Sequence, residues 1–291
     1  MRTLIAALAL ILFSVNTIAQ PVKNIPSASK PFVLGVIDEI QSEQLNEKRV
    51  LNIYLPEGYN ENDTVKYPVV YLLDGSADED FIHVAGLYQF NNFPWIDRVP
   101  ESIVVGIANV DRRRDFTFKT SVLPDSMRYA TAGHSDKFIA FIEKELQPYI
   151  EKKYKAGPAK TIIGQSLGGL VATEMLFKTP SLFDTYIIIS PSLWWNNGSL
   201  LDYNPGVLAK DFTQKKSIYI GVGKEGLAPG TPPHVMEVDA NLLAEKLKAS
   251  QNKALTVYFD YLPEENHATV THQAVFNALR LLYPEHVHEG E

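Results

Sequence analysis

Short apolar runs alternate with amphipathic segments along most of this 291-residue chain. The runs are continuous and rich in Val, Ile, Leu and Tyr, which is typical of strands buried on both faces of a parallel sheet. The sequence predicts strands at 48–59, 66–78, 101–115, 160–164, 185–190, 216–222 and 254–262. The first three of these ranges also include the turn or loop that follows the strand. Helical spacing of apolar residues predicts helices at 134–154, 166–178, 237–250 and 270–282. The alternation predicts an α/β fold, a mostly parallel twisted sheet with helices on both faces.

The N-terminal segment has a different pattern. One basic residue, Arg2, precedes an apolar stretch at 4–13, and a small-residue site ends at Ala19. This is the pattern of a secretory signal peptide, and the stretch is shorter than the about 20 residues that a membrane-spanning helix needs. We therefore expect a signal peptide at 1–19, a single domain at 20–291, and export to the periplasm or the extracellular space.

The composition excludes several functions. The chain has no cysteine, so a cysteine-linked lipid anchor, a disulfide framework and a thiolate nucleophile are not expected. A formal net charge of −7 argues against nucleic acid or an anionic membrane surface as a partner. No cluster has metal-ligand spacing, and no glycine-rich loop is typical of phosphate or dinucleotide binding. Neither a metal nor another cofactor is expected, and the oligomeric state stays open.

The candidate chemistry begins with the sequence G-Q-S-L-G at 164–168. Its central residue, Ser166, follows a short β-branched strand and precedes a helix, which is the context in which this motif exposes a nucleophilic serine. The flanking glycines would permit the tight turn, and the helix N-terminus would place partial positive charge beside the hydroxyl. The alternative is that Ser166 only caps the helix, as serines often do.

A serine nucleophile needs a base, and the chain offers seven histidines. They are at positions 83, 134, 234, 267, 272, 286 and 288. His267 follows the strand at 254–262 and precedes the last helix, which is where the base of an α/β-hydrolase is expected. His267 is therefore the predicted base, and a histidine on the surface without a catalytic role is the alternative for each of the seven.

The acid and the oxyanion donors are expected in neighbouring loops. Glu225, after the strand at 216–222, is the favoured acid, and Asp239 at the start of the next helix is its competitor. The backbone N–H groups of Leu167 and Ser76 are the expected donors to the oxyanion.

Six sequence blocks resemble, in order, those of the esterase-D-like esterase family. They are YLLDGSADEDFI, VVGIANVDRRRDFT, GQSLGG, SPSLWWNN, GVGKEG and ENHATV. The sequence looks most similar to the branch that contains the ferric-enterobactin and ferri-bacillibactin esterases, over nearly all of the chain after residue 19. The resemblance implies catalytic roles for Ser166 and His267 and siderophore esters as substrates. Two departures are that Gln165 stands where histidine is common and Glu225 where the wider superfamily often has aspartate.

Candidate substrate-binding residues lie in two of these blocks. Trp194 and Trp195 follow a strand in a loop that should face the same edge as Ser166, and paired indoles suit an aromatic or extended acyl group. Packing of one indole in the core is the alternative. Arg112 and Arg114 could contact an anionic group, but such a cluster more often holds a loop through ion pairs.

Together these features predict a secreted serine carboxylic-ester hydrolase that works through a Ser-His-acid triad and an acyl-enzyme. Its partner would be a small-molecule or oligomeric ester, and the resemblance implies a siderophore trilactone. A feruloyl or acetyl polysaccharide esterase, or a secreted acyltransferase of the mycolyltransferase kind, would share the fold and the motif. An inactive binding module should have lost Ser166 or His267, and both are present.

Overall fold

The computed structural model describes residues 30–62, 64–229 and 232–285. Within these residues the chain forms an eight-stranded sheet. The strands are β1 (Val36–Ser42), β2 (Glu47–Tyr54), β3 (Tyr67–Leu72), β4 (Ile103–Ile107), β5 (Ala156–Gln165), β6 (Thr185–Ile189), β7 (Lys216–Gly223) and β8 (Leu255–Leu262).

Helices connect the strands. They are α1 (Phe81–Asn92), α2 (Arg112–Phe116), α3 (Leu123–Arg128), α4 (Ser135–Phe141), α5 (Gln147–Lys153), α6 (Leu167–Lys178), α7 (Ser199–Asp202), α8 (Met236–Ala249) and α9 (Val270–Leu282). The helix predicted at 134–154 is divided, because a π-helical turn at Ile142–Leu146 separates α4 from α5. Short 3₁₀ turns lie at Pro180–Leu182 and Gly206–Leu208.

The sheet has the strand order β1-β2-β4-β3-β5-β6-β7-β8. The pairs β1–β2 and β2–β4 are antiparallel, and every later neighbouring pair is parallel. This topology, with helices on both faces, is the α/β-hydrolase fold, so the predicted fold class is confirmed.

Both faces of the sheet are buried, as the continuous apolar runs predicted. Val69 and Tyr71 of β3 join the core under α4, α5, α6 and α8. Val70 and Leu72 face the opposite way and pack in the core under α1 and α9. The helices therefore cover the flat faces, and the carboxyl edge of the parallel strands carries the loops that bring the site together.

The described residues from Leu34 onward form one compact unit. The signal peptide predicted at 1–19 lies outside the described residues, as do His286 and His288. A domain that begins at residue 20 therefore stays a prediction. No helix in the described part of the chain is long and apolar enough to span a bilayer.

Candidate active site

Ser166 occupies a sharp turn between β5 and α6. Its backbone has φ 60° and ψ −117°, a strained conformation for a residue with a side chain. Small residues around Ser166 leave room for this turn. A Cβ on Gly164 would stand 2.4 Å from the carbonyl oxygen of Gly168, whereas one on Gly168, the other flanking glycine, would meet Asp74 Oδ2 at 3.3 Å. A Cβ on Gly169 would stand 2.9 Å from the carbonyl oxygen of Ile189. The Ser166 side chain makes no capping hydrogen bond to α6, so the structure does not use it as a helix cap.

The Ser166 hydroxyl points instead to a chain of hydrogen bonds. Ser166 Oγ lies 3.0 Å from His267 Nε2, and His267 Nδ1 lies 2.6 Å from Glu225 Oε2. The Glu225 side chain is 3% exposed and that of His267 is 47% exposed. The arrangement joins a hydroxyl, an imidazole and a buried carboxylate in the order that proton transfer from the serine requires.

Two side chains that the sequence analysis did not identify hold Glu225. The buried Ser190 directly follows β6, and its hydroxyl donates to Glu225 Oε1. Glu237 accepts hydrogen bonds from the backbone N–H groups of Glu225, at 2.8 Å, and Gly226. Burial would raise the pKa of Glu237, but these and other backbone N–H donors hold it below its ordinary value. The position of Ser190, at the end of the strand next to the serine's strand, was a signal that could have identified it.

Asp239, the competing acid, lies in a different pair. Its carboxylate is 2.9 Å from Nδ1 of His234, and burial raises its pKa. The structure therefore places Glu225 beside His267 and Asp239 beside another histidine.

Gln165 holds the loop that carries the candidate base. Its amide nitrogen donates to the backbone oxygen of His267 at 2.9 Å and lies 3.3 Å from His267 Nε2. Glutamine at this position therefore connects the strand that ends at the elbow with the loop after β8.

The three consecutive arginines of α2 have three different environments. Arg112 forms a two-point ion pair with Asp74, at 2.6 and 2.8 Å, and also donates to the backbone oxygen of Gln165. Arg114 pairs with Glu47, at 2.6 and 3.0 Å, and with Asp115.

Two cavities, described below, open beside Ser166, and only some of these arginines line them. Arg114 lines neither of the two, and its guanidinium pairs with Glu47 and Asp115, which is the ion-pair alternative considered from the sequence. Contact of Arg114 with substrate stays a prediction. Arg113, which the sequence analysis did not select, lines one cavity next to Arg112.

The ion pair of Asp74 and Arg112 lies next to a perturbed carboxylate. Burial, with a contribution from the charge of Asp74, raises the pKa of Asp80 to about 6. Asn109 also donates to Asp74, at 2.7 Å. Asp74, Asn109 and Arg112 are thus bound to one another, and Arg112 also lines one of the cavities beside Ser166.

Two cavities meet at Ser166. The first, here called the arginine cavity, has a volume of about 220 Å³ and is bounded by Arg112, Arg113, Thr117, Tyr129, Leu167 and Trp195. The second, the histidine cavity, measures about 210 Å³ and is bounded by Glu225, Leu227, Ala228, Met236 and His267. Ser166, Ser192, Trp194 and Pro229 line both.

The two tryptophans form part of the cavity walls and also pack in the core. Trp195 is fully buried, and its indole N–H donates to the backbone oxygen of Phe118 at 2.9 Å. Trp194 is nearly as buried and packs edge-on against Trp195. Both the packing role and the lining role considered from the sequence therefore apply to this pair.

The expected oxyanion donors have unequal positions. Leu167 lines the arginine cavity as the first residue of α6, where a backbone N–H has no acceptor within the helix. Ser76 is partly exposed and lies outside the lining of both cavities. In the described ranges, no three His, Cys, Asp or Glu side chains come together in a way that could hold a metal ion.

The fold and the site together define a hydrolase of the α/β class. The chain belongs to the esterase family described as "Putative esterase", which matches residues 42–276. The protein is therefore a carboxylic ester hydrolase.

Three similar proteins have names or solved structures that can be compared with this chain. The chain is 30% identical to the ferri-bacillibactin esterase BesA of Bacillus subtilis over 84% of its length and 88% of that protein. It is 35% identical to an IroE-like serine hydrolase from Shewanella oneidensis, with a TM-score of 0.76 over 86% of this chain and 80% of that one. The BES protein from Bacillus cereus gives 26% identity and a TM-score of 0.75, over 90% and 100% of the two chains.

Proposed function

We propose that the protein is an exported serine esterase that cleaves the ester bonds of siderophore trilactones through an acyl-enzyme. Ser166 is the nucleophile, His267 the general base and Glu225 the acid that orients His267. The observation that carries this proposal is the hydrogen-bonded chain from Ser166 through His267 to Glu225 at a strained strand-to-helix turn.

The first half of the reaction forms the acyl-enzyme. As Ser166 Oγ bonds to the ester carbonyl carbon, its proton passes to His267 Nε2, and the carbonyl oxygen becomes an oxyanion near the N–H of Leu167. The bond from carbon to the alcohol oxygen then breaks, and that oxygen takes the proton from His267. Glu225 stabilises the imidazolium through Nδ1–H while the proton is held there.

The second half releases the acid. Water bonds to the acyl carbon as its proton passes to His267, and the bond from Ser166 Oγ to that carbon breaks as the oxygen takes the proton back. In both halves the transferred proton therefore passes through His267 Nε2, and Ser166 Oγ has its proton again at the end of the cycle.

The names of relatives and the walls of the cavities support the choice of substrate. BesA is named as a ferri-bacillibactin esterase, and it matches most of this chain. Trp194 offers an apolar wall beside Ser166, and Arg112 and Arg113 provide positive charge in the arginine cavity. Flat apolar walls with a cationic rim suit phenolic groups that carry negative charge.

Export is the part of the proposal that depends on sequence alone. Its support is the basic, apolar and small-residue pattern of residues 1–19. N-terminal sequencing of protein recovered from the periplasm or the medium tests it, and an N-terminus near residue 20 is expected. Intact Met1 on the recovered protein would contradict export through a cleaved signal.

Single substitutions test the catalytic assignment. Ser166→Ala should lower kcat for p-nitrophenyl butyrate by about 10⁶-fold, since no acyl-enzyme can form. His267→Ala should be nearly as damaging and should add little to Ser166→Ala, because the two residues act as a unit. Ser192, whose Oγ lies 3.3 Å from Ser166 Oγ, provides the matched control. Ser192→Ala should keep at least about a tenth of the activity, and a Ser166→Ala variant that does the same would refute the nucleophile.

A substrate panel tests the siderophore assignment. Purified protein is incubated with ferric and iron-free catecholate trilactones, a feruloylated oligosaccharide and acetylated xylan, and products are followed by mass spectrometry. We expect siderophore fragments to form fastest. Faster release of ferulate or acetate would favour a polysaccharide esterase, and ester formation with an added sugar or alcohol in preference to hydrolysis would favour an acyltransferase.

A further inference from the structure

The two cavities that meet at Ser166 differ in chemistry. The arginine cavity combines Arg112 and Arg113 with the aromatic rings of Tyr129 and Trp195. The histidine cavity presents the aliphatic side chains of Leu227, Ala228 and Met236 beside His267. An ester has two unlike parts on either side of the bond that breaks, so the two cavities can hold the acyl part and the alcohol part separately.

The catalytic geometry decides which part goes where. His267 Nε2 must deliver its proton to the alcohol oxygen as that oxygen leaves, so the alcohol part has to lie on the His267 side of Ser166. The histidine cavity is on that side because His267 itself lines it. The arginine cavity is then left for the acyl part, which stays bonded to Ser166 Oγ through the acyl-enzyme.

Arg113 is the cation of the arginine cavity that is available to a ligand. Arg112 and Arg114 are paired with carboxylates, whereas the exposed Arg113 forms no salt bridge with any residue in the described part of the chain. Its guanidinium carbon lies 4.9 Å from the centre of the Tyr129 ring, which holds the side chain against the cavity wall.

We propose that the acyl part of the substrate binds in the arginine cavity with an anionic group on Arg113, and that the alcohol part binds in the histidine cavity against Leu227 and Met236. In a catecholate trilactone, the group on Arg113 would be the catecholate of the unit that supplies the ester carbonyl. This inference rests on the proposed function, because it uses Ser166 as nucleophile and His267 as proton donor.

The acyl side is tested with two p-nitrophenyl esters that share one leaving group. One carries a 4-carboxybenzoyl group, the other the neutral 4-methylbenzoyl group. Arg113→Gln should lower kcat/KM by about tenfold for the carboxylated ester and less than about twofold for the neutral one. Arg113→Lys, which keeps the positive charge, should lower kcat/KM for the carboxylated ester less than Arg113→Gln does. Arg128 is the matched control, because it is also exposed and stacks on Tyr129 at 5.4 Å but lines neither cavity.

Arg128→Gln should change kcat/KM for both esters by less than about twofold. Equal effects of Arg113→Gln on the charged and the neutral ester would overturn the role of Arg113. A loss with Arg128→Gln equal to that with Arg113→Gln would also overturn it, because the effect would then come from general surface charge.

The alcohol side is tested with hexyl acetate and methyl heptanoate, which are isomers with the alkyl chain on opposite sides of the ester bond. Leu227 is 73% exposed, so Leu227→Ser should leave the fold intact. It should lower kcat/KM for hexyl acetate by about fivefold and leave that for methyl heptanoate within about twofold. Leu123→Ser is the control, since Leu123 is 67% exposed and lines neither cavity.

A loss confined to methyl heptanoate would overturn the proposed placement of the alcohol part in the histidine cavity. Wild-type turnover of both esters would in that case leave the esterase mechanism standing. A loss with Leu123→Ser equal to that with Leu227→Ser would likewise overturn that placement. A wild-type protein that hydrolyses none of the four esters but cleaves the trilactones of the substrate panel would overturn this inference and leave the proposed function standing, whereas one that cleaves neither would overturn both.

Discussion

Replacing Glu225 by glutamine removes the negative charge beside His267 and keeps the shape of the side chain. In the structure Glu225 Oε2 lies 2.6 Å from His267 Nδ1, and Oε1 accepts from the hydroxyl of Ser190. Because a hydroxyl can rotate to donate or to accept, the new carboxamide can keep its oxygen towards His267. The imidazole then retains its Nδ1 proton, and Nε2 can still accept from Ser166.

The expected loss is therefore that of an ionic hydrogen bond to the imidazolium. A hydrogen bond to a charged group contributes about 1.5–3 kcal/mol, and breaking a buried ion pair costs about 3–5 kcal/mol. The 3% exposed carboxylate favours the larger value, but water reaches the 47% exposed His267 and solvates part of its charge. We expect kcat to fall by about 10²- to 10³-fold, equivalent to about 3–4 kcal/mol.

The assay is the hydrolysis of p-nitrophenyl butyrate at saturating substrate, with thermal unfolding as the check on folding. Asp239→Asn is a matched control, because it removes a carboxylate that pairs with a different histidine, His234, at 2.9 Å. It should change kcat by less than about threefold. A large loss with Asp239→Asn and a small one with Glu225→Gln would show that Asp239 is the acid. Little effect from either variant would show that Ser166 and His267 act without a carboxylate.

Two further predictions concern stability, both measured by urea denaturation. Asp80→Asn should raise the free energy of unfolding by about 1–2 kcal/mol at pH 8. Burial and the charge of Asp74 raise the pKa of Asp80 to about 6, so the wild-type protein loses stability as pH rises through that value, whereas the variant does not. The gain should shrink as pH falls towards 4, and a gain independent of pH would contradict this cause. Asp115→Asn should lower the free energy of unfolding by about 3 kcal/mol, since this substitution removes the negative charge paired with the buried Arg49. Lys48→Gln removes the exposed ion pair with Glu39 and should change the free energy of unfolding by about 0.5 kcal/mol or less. Equal effects of Asp115→Asn and Lys48→Gln would refute the greater contribution of the buried pair.

Most of the sheet was predictable because its strands are buried on both faces, which makes their apolar runs continuous. The exceptions are informative. β1 was missed because it is an edge strand, and residues such as Asp38 and Glu39 interrupt its apolar positions. α1 was missed because apolar residues lie on both of its faces: Phe81, Leu87 and Tyr88 are buried, whereas Ile82 and Phe90 are exposed, so the helix shows little amphipathic contrast.

The position of the candidate acid shows what a sequence alone can and cannot decide. A loop after β7 could be assigned to the carboxyl edge of the sheet, but Glu225 and Asp239 both follow that strand within a short distance. The choice between them depends on which histidine each carboxylate meets in space. Sequence spacing does not contain that information, whereas the structure pairs one with His267 and the other with His234.

The arginines of α2 show the same limit more sharply. Arg112, Arg113 and Arg114 have the same side chain and adjacent positions, so composition and motif treat them alike. Their environments differ because successive residues of a helix point about 100° apart. One then meets Asp74, another meets Glu47 and Asp115, and Arg113 is left facing the cavity.

The proposed roles place reactivity and selectivity in different parts of the structure. Ser166 and Ser190 directly follow neighbouring parallel strands, and Glu225 and His267 lie in the loops after the next two, so the register of β5 to β8 brings them to one edge. The side chains of Arg113 and Leu227 are exposed, lie outside the sheet and contribute little to its core. Substitutions at these two positions should therefore change which esters are cleaved and leave the hydrogen-bonded chain at Ser166 intact.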